Sequence, residues 1–388
     1  VPAFACLTED VVIEDEALTV VLPARPERRY EIRFGEGFDE NFTGFFSHRR
    51  YSKIFVITEE SLREIVYEPL YAALRSTGLE IHPVFRPSGE STKHISHLEG
   101  LFDGIIRAGA DRASLVIAAG GGVVGDLAGF VAATLLRGVP FVQVPSTLLA
   151  MVDSSVGGKV AVNVNAGKNM VGAFYQPEFV YGNLHYLSTL PPREWICGLA
   201  EMAKHAFLTE RSEIFDRLLE TARQAMKHEG GFRSLPLSIL KKRIQESVSV
   251  KASVVAADET EKGLRASLNL GHTTAHAIES LLQYRGMTHG EAVSRGLVTA
   301  LLLSRELQGL PEEECETMLE LMQGLQLPLD TAGFEATDLL EHMKFDKKNE
   351  AGTIRFVLLK RRGKPVWGVP LSAQAFRRAW AEQRARFG

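Results

Sequence analysis

Apolar positions along this chain follow two different rhythms. From residue 29 to about 185, short apolar runs alternate with longer stretches of helical spacing. Positions 29–34 alternate polar and apolar and predict a strand ended by Gly35. Positions 53–58 are a continuous apolar run of the buried-strand kind. A helix predicted to begin near Glu59 carries Leu62, Ile65, Val66 and Leu70 on one face. A strand over 81–85, a polar loop over 87–93 and a helix through Leu101, Ile105 and Ile106 follow, then strands over 115–119 and 141–144. This alternation predicts an α/β fold with a parallel sheet and helices on both sides. After Leu190 the strand signals fade, and helical spacing dominates to about residue 325. A last strand is predicted at 354–359, and 376–386 reads as a basic, structural helix. Pro191-Pro192 marks the break, so a domain boundary is expected near 185–192. The expected domains are 1–188, α/β, and 189–388, mostly α-helical. Positions 1–28 show no clear period and read as an extension.

Length agrees with that division, because 388 residues exceed one ordinary core. A net charge of −4 gives no basic field for nucleic acid. Cys6, Cys197 and Cys315 are scattered, which suits a reducing compartment better than a disulfide framework or a paired-cysteine zinc site. The first residues lack the basic region of a signal peptide. The most apolar run, 130–152, is interrupted by Arg137, Pro140, Gln143 and Pro145, which breaks a membrane span. A soluble, cytoplasmic protein is expected. Internal repeats and low-complexity tracts are absent from the sequence.

Three stretches carry candidate chemistry. Gly120, Gly122 and Gly125 fit Gly-x-Gly-x-x-Gly between a predicted strand and a helix, the context that holds a pyrophosphate at a helix N-terminus. The turn is not in the first β-α unit, and no acidic residue closes a strand about twenty residues on. It therefore reads either as a non-standard nucleotide loop or as a tight turn, with Asp126 as a helix cap. The second stretch, 153–169, sets Lys159 and Lys168 beside glycines and hydroxyls, a composition suited to anion binding rather than a plain solvated loop. The third, 265–291, holds His272, His276 and His289 with Arg265 and Asn269. His272 and His276 share a helical face, and spacing alone suggests them as a metal pair. The His-Glu-x-x-His protease pattern does not apply, because position 273 is Thr. Elsewhere the local pattern is bland. Glu201 and Lys204 read as a surface pair three apart, Asp258-Glu-Thr-Glu-Lys as a solvated turn, and Lys347-Lys348 as solvent-facing.

Ser88-Gly-Glu-Ser-Thr-Lys, Gly120-Gly-Gly-Val-Val-Gly-Asp-Leu-Ala-Gly-Phe, Leu136-Arg-Gly-Val-Pro-Phe, Val152-Asp-Ser-Ser-Val-Gly-Gly-Lys, Gly167-Lys-Asn-Met-Val-Gly-Ala-Phe, Gly198-Leu-Ala-Glu, Leu268-Asn-Leu-Gly-His-Thr and His289-Gly-Glu-Ala-Val follow one another along 28–360. In that order they resemble the 3-dehydroquinate synthase family of the sugar phosphate cyclases. The resemblance implies a Rossmann-like NAD-binding domain, a helical metal-binding domain and an active site in the cleft between them. By motif the metal ligands fall on Glu201, His272 and His289, a set that suits catalytic zinc, with cobalt as the alternative. His276 then falls on a family active-site histidine near the phosphate that is eliminated. Substrate positions fall on Asp153, Lys159, Asn169, Lys204, Lys251, Arg265, Asn269, His276 and one of Lys347 or Lys348. NAD positions fall on Glu59, Glu90, Lys93, Gly121, Gly122, Val123, Gly125, Asp126, Ser146, Thr147, Lys159, Lys168, Tyr186 and Thr189. Arg137 corresponds to an arginine that the family supplies from a neighbouring subunit, which implies a homodimer. The implied reaction converts 3-deoxy-D-arabino-heptulosonate 7-phosphate into 3-dehydroquinate and phosphate, a step of aromatic amino-acid biosynthesis. It runs by transient oxidation with NAD, phosphate elimination, reduction and aldol closure.

Departures from the family pattern are Ser146 for Thr, Val160 for Thr, Thr274-Ala275 for Phe-Gly, and Met202, Ala203 and His205 on the Glu201 helix. None removes an implied catalytic group. Three rival readings remain. One is a sister cyclase acting on sedoheptulose 7-phosphate, making a valiolone-type, deoxy-inosose or gadusol-type ring. Another is a metal-dependent polyol dehydrogenase such as a glycerol dehydrogenase. The third is a non-catalytic scaffold. Arg265, Asn269, His276 and the 347–348 lysines favour the dehydroquinate reaction over the first. A lysine-rich anion site argues against the second, since a neutral alcohol would leave those charges unpaired.

Overall fold

The computed structural model describes residues 11–14, 17–20, 27–47, 49, 51–344 and 353–388. Cys6, Lys347 and Lys348 lie outside them. The chain divides into two compact units, Val1–Tyr30 and Glu31–Gly388. In the first, β1 (Val11–Glu14) and β2 (Ala17–Val20) pair as an antiparallel hairpin, which the aperiodic sequence did not announce.

The second unit begins with β3 (Glu31–Gly35), α1 (Glu40–Phe46), β4 (Lys53–Glu59), α2 (Glu68–Leu74), β5 (Glu80–Arg86), α3 (Leu98–Arg107), β6 (Leu115–Gly120), α4 (Gly122–Thr134) and β7 (Phe141–Pro145). A hairpin of β8 (Lys159–Val164) and β9 (Gly167–Phe174) leads to β10 (Phe179–Asn183). Six strands form one sheet in the order β3-β10-β7-β6-β4-β5, with every pairing parallel. Buried apolar runs explain it: every residue of β6, β7 and β10 is buried, so both sheet faces must be covered. Phe55, Ile57 and Val116 pack with α3 and α4 on one face. Ile54, Val56 and Leu115 pack with α1 and α2 on the other.

The chain order runs outward to β5 on one side of β4 and from β6 to β10 on the other. Ligands of such sheets bind beyond the carboxyl ends of the strands, where the order reverses. Here that point lies between β4, ending at Glu59, and β6, ending at Gly120.

Beyond β10 the unit is helical: α5 (Pro192–Leu208), α6 (Ser212–Ala225), α7 (Leu237–Ala257), α8 (His272–Leu281), α9 (His289–Gln308), α10 (Glu312–Gly324) and α11 (Ala336–Met343). The hairpin β11 (Arg355–Arg361) and β12 (Lys364–Pro370) and the helix α12 (Ala373–Phe387) close it. One core joins these helices to Leu148, Met151, Val152 and Val156 beneath the sheet's carboxyl edge.

Three differences from the sequence expectation matter. Within the 153–169 stretch, Lys159 and Lys168 sit on paired strands that the composition did not announce. The strand β10 carried no recognised signal, because Phe-Val-Tyr-Gly-Asn is too short to show a period. The helix after β4 starts at Glu60 as a 3-10 turn and becomes α-helical only at Glu68. Of its expected buried face, Val66 and Leu70 are buried while Ile65 is exposed. No helix among the described residues is long and apolar enough to cross a membrane.

Candidate active site

A cleft of about 1020 Å³ opens at the carboxyl ends of the sheet strands and is walled on its far side by α8, α9 and α11. All the sheet strands but the edge strand β3 contribute to its wall. Glu59 ends β4, Gly89, Glu90 and Lys93 follow β5, Gly121 to Val123 follow β6, Ser146 and Thr147 follow β7, and Tyr186 and Thr189 follow β10. The exposed Ile65 and its neighbour Leu62 also line it, which explains apolar side chains left unpacked on that face.

The glycine turn is built for close approach. Gly121 caps α4, whose first helical residue is Gly122, so free backbone N–H groups face the cleft. A Cβ on Gly122 would stand 3.1 Å from Ser154 Oγ. Gly125 matters for packing instead. A Cβ there would meet Gln143 Oε1 at 2.8 Å, so it lets α4 lie close on β7 and does not line the cleft. Asp126 does not cap the helix either. It forms a buried ion pair with Lys93, and burial pushes its carboxyl up despite that partner. Glu90 accepts from Asn163 Nδ2 at 2.7 Å and lies 3.8 Å from Lys168 Nζ. Asn169 is held at φ +54° within β9, its N–H donating to Asn163 Oδ1 at 2.9 Å.

Across the cleft, Glu201 of α5, His272 of α8 and His289 of α9 bring one donor atom each within 4.8 Å of one another. His272 Nε2 and His289 Nε2 both lie 3.7 Å from Glu201 Oε1. Two donors each about 2.1 Å from a zinc ion sit roughly 3.4 Å apart in a tetrahedron, so small movements suffice. Glu201 is fully buried and neither of its oxygens has a well-aligned hydrogen bond, although Lys204 stands in ion-pair contact. Burial alone would raise this carboxyl, but Lys204 and the two histidines hold it well below the usual range. His272 is kept neutral by burial and by Lys204. Burial also opposes charge on His289, yet Glu201 and Glu279 push it up to about 10. The spacing-based pair of His272 and His276 is therefore split. His276 lies one turn along α8 with its ring 5.6 Å from that of His272 and faces the cleft. Glu201 and Lys204 are not a surface pair, because their side chains are 0% and 2% exposed.

Beneath this cluster lies a second charged layer. Asp153 accepts from Lys251 Nζ at 2.6 Å. Asp153, Glu201 and His205 also meet a metal-ligand spacing. Lys204 faces both sets through Glu201, but Lys251 bonds directly to Asp153 and adds a second ammonium opposing a cation there, so Glu201, His272 and His289 are the better cage. His205 is fully buried, bonded through Nδ1 to Ser247 Oγ at 2.8 Å, with no partner for Nε2 among the described residues. Burial first, and Lys204 second, push it down to about 3. The unfolded chain thus takes up a proton here from about pH 6.5 downward, whereas the folded chain does not until about pH 3. Stability from this site is intact above pH 6.5 and falls by up to about 1.4 kcal/mol per pH unit below it. Urea unfolding between pH 7 and 5 should show a steeper loss for the native chain than for His205→Asn. Equal slopes would refute the assignment.

The 258–262 stretch is a turn with Thr260 and Lys262 exposed, as expected, but its acids are tied down. Asp258 accepts the backbone N–H of Lys262, Gly263 and Arg265, at 2.8 to 3.0 Å. That clasp aims Glu261, at φ +59°, toward Lys159 and toward Asn269 Nδ2, which donates to it at 2.9 Å. Glu261 was missed because nothing in its local sequence shows which cations lie opposite. Arg265 is 2% exposed and donates to the carbonyls of Gly157 and Glu259. Arg137 does not line the cleft of its own chain. It follows Leu136, and both sit at positive φ, +50° and +71°.

Comparison with known proteins agrees with this geometry. Residues 84–197 match the model of the 3-dehydroquinate synthase N-terminal region, and 198–349 that of the C-terminal region. The chain is 48% identical over 323 residues to the 3-dehydroquinate synthase of Leptospira interrogans, covering 83% of this chain and 86% of that one. The chain belongs to the 3-dehydroquinate synthase family. Another family member, from Azotobacter vinelandii, is 44% identical over 341 residues, covering 88% and 90% of the two chains. Among solved structures, 2-deoxy-scyllo-inosose synthase complexed with carbaglucose-6-phosphate, NAD+ and Co2+ superposes with a TM-score of 0.80 at 26% identity, over 92% of this chain and 97% of that one.

Proposed function

We propose that this chain converts 3-deoxy-D-arabino-heptulosonate 7-phosphate into 3-dehydroquinate and phosphate, using NAD and one divalent metal ion. The observation that carries the proposal is a single cleft with a nucleotide-type glycine turn on one wall and the Glu201, His272 and His289 cluster on the other. The residues fit both cofactors. Glu201 offers two buried oxygens that lack aligned hydrogen bonds, and Gly122, where a Cβ would crowd Ser154 Oγ at 3.1 Å, keeps the backbone open where a pyrophosphate would approach. The related 2-deoxy-scyllo-inosose synthase, which holds NAD+ and Co2+ together, supports placing both in one cleft. When bound, the metal would acidify a substrate hydroxyl, and NAD would accept and later return one hydride.

The chain's own residues supply the rest. Lys159, Lys251 and Arg265 place fixed cations around the cleft to receive the substrate's carboxylate and phosphate. Asp153 orients Lys251, whose burial strengthens that contact. His276 faces the same space and is assigned to the phosphate that leaves. Lys204 balances Glu201, and Asn169, which lines the cleft, and Asn269, bonded to Glu261, orient substrate hydroxyls and carboxylate. Lys347 or Lys348 would complete the anion site. On the NAD side, Glu59 receives the adenosine ribose, and Glu90, Lys93, Asp126, Ser146, Thr147, Lys168, Tyr186 and Thr189 hold the remainder. The domains are read as 1–188 for NAD and 189–388 for metal and substrate. Arg137 points to a homodimer, because a strained arginine outside its own cleft is explained if it serves the neighbouring one.

Full-length protein supplied with Zn2+ and NAD should release phosphate from the heptulosonate phosphate. Release from sedoheptulose 7-phosphate with none from the heptulosonate would overturn the substrate assignment in favour of a sister cyclase.

A further inference from the structure

Two imidazoles in the Glu201 cluster present Nε2 to the same point, and each is steered by what its Nδ1 meets. His272 Nδ1 lies 3.1 Å from the backbone carbonyl of Leu270. His289 Nδ1 lies 3.0 Å from Glu279 Oε1. Glu279 stands seven residues after His272 on α8, so His272, His276 and Glu279 share one face of that helix. Its side chain is 15% exposed.

Glu279 also shapes the turn that leads to His289. Its backbone carbonyl accepts from Tyr284 N at 2.7 Å, which closes the turn leading from α8 to α9. Gln283 and Tyr284 in that turn both have positive φ, so the chain is bent sharply here. Arg193 fixes the far side of the turn by donating to the Gly286 carbonyl at 2.9 Å and pairing with Glu291. The His289 ring is thus bonded to α8, the helix that carries His272, and the turn before it closes on the same helix.

We propose that Glu279 is a positioning residue for metal binding, fixing the His289 ring so that Nε2 faces the metal while Nδ1–H remains donated to the carboxylate. This rests on the reading of Glu201, His272 and His289 as the ligands. A carboxylate in this place sets ring orientation and makes the ring a stronger donor, and losing one weakens metal affinity on the order of 10–100-fold.

The test uses the full chain stripped of metal and titrated with Zn2+ or Co2+ against a chromophoric chelator. Glu279→Ala should raise the metal Kd on the order of 10–100-fold. Glu279→Gln keeps an oxygen that can accept from Nδ1–H but lacks the charge, so it should fall between native protein and Glu279→Ala. It should also shift the visible band of the Co2+ form. NAD binding should be unchanged in both. Metal Kd within twofold of native in both variants, with His272→Ala losing metal, would overturn this inference alone. Variants that lose only stability would overturn it as well. Retention of metal by His272→Ala would overturn the ligand assignment, and this inference with it.

Discussion

Glu201→Ala is expected to cost the fold about 3–5 kcal/mol and to leave the protein without a tightly held metal ion. Both effects follow from burial. Glu201 and Lys204 lie one turn apart on α5 with 0% and 2% of their side chains exposed. Apart from His205, the rest of that stretch of α5 is apolar or small and sunk in the helical core. Removing one partner of such a pair leaves an unpaired ammonium group, which is costlier than losing the pair altogether. The metal effect is independent: two imidazoles remain, and a two-ligand site is weak. Urea unfolding and metal titration separate the two. The double variant Glu201→Leu with Lys204→Met should recover most of the stability and none of the metal binding. If Glu201→Ala alone unfolds like the native chain, the buried pair does not have the role assigned to it.

Gly290→Ala should be nearly as damaging, by about 3 kcal/mol, through a single methyl group. Gly290 sits in the first turn of α9, just after His289. A Cβ there would fall 2.2 Å from Cys197 Cα and 2.8 Å from Cys197 N on α5. Those are backbone atoms in mid-helix and cannot rotate aside. The helices must separate, and the separation occurs where α9 delivers His289 to Glu201 on α5. Lower stability is therefore expected together with weaker metal binding, read by the same two measurements. Gly309→Ala is the comparison, since a Cβ there meets nothing within 4 Å. Its φ of +71° carries only local backbone strain. Normal metal affinity in Gly290→Ala would mean that the α5–α9 contact does not set the cluster.

Legibility of the sequence followed the range of the interactions involved. Strands such as β4, β6 and β7 are mostly apolar because both faces of the sheet are covered, and that is written in consecutive residues. The β8–β9 hairpin was hidden by the glycines, asparagines and lysines that it presents to the cleft. Local rules also misplaced charge. Three-residue spacing made Glu201 and Lys204 a surface pair, and a run of acids made Asp258 to Glu261 a solvated turn. In the fold the first is buried beside His272 and His289, and Glu261 of the second pairs with Lys159, partners far along the chain. His272 and His276 looked like a metal pair because the helix sets them four apart, yet the ligand geometry draws on three helices. Motif resemblance reached Glu201, His272 and His289 together, which spacing alone did not. Glu279 and His205 were passed over, since each acts through a neighbour that only the fold supplies.

The central claim is a cleft in which oxidation and reduction occur within one turnover. It is tested most directly by following phosphate release and NADH absorbance together, with heptulosonate phosphate in large excess over NAD and enzyme. The account predicts many phosphates released per NAD, with no NADH accumulating. NADH rising in step with substrate consumed would contradict it and identify a dehydrogenase.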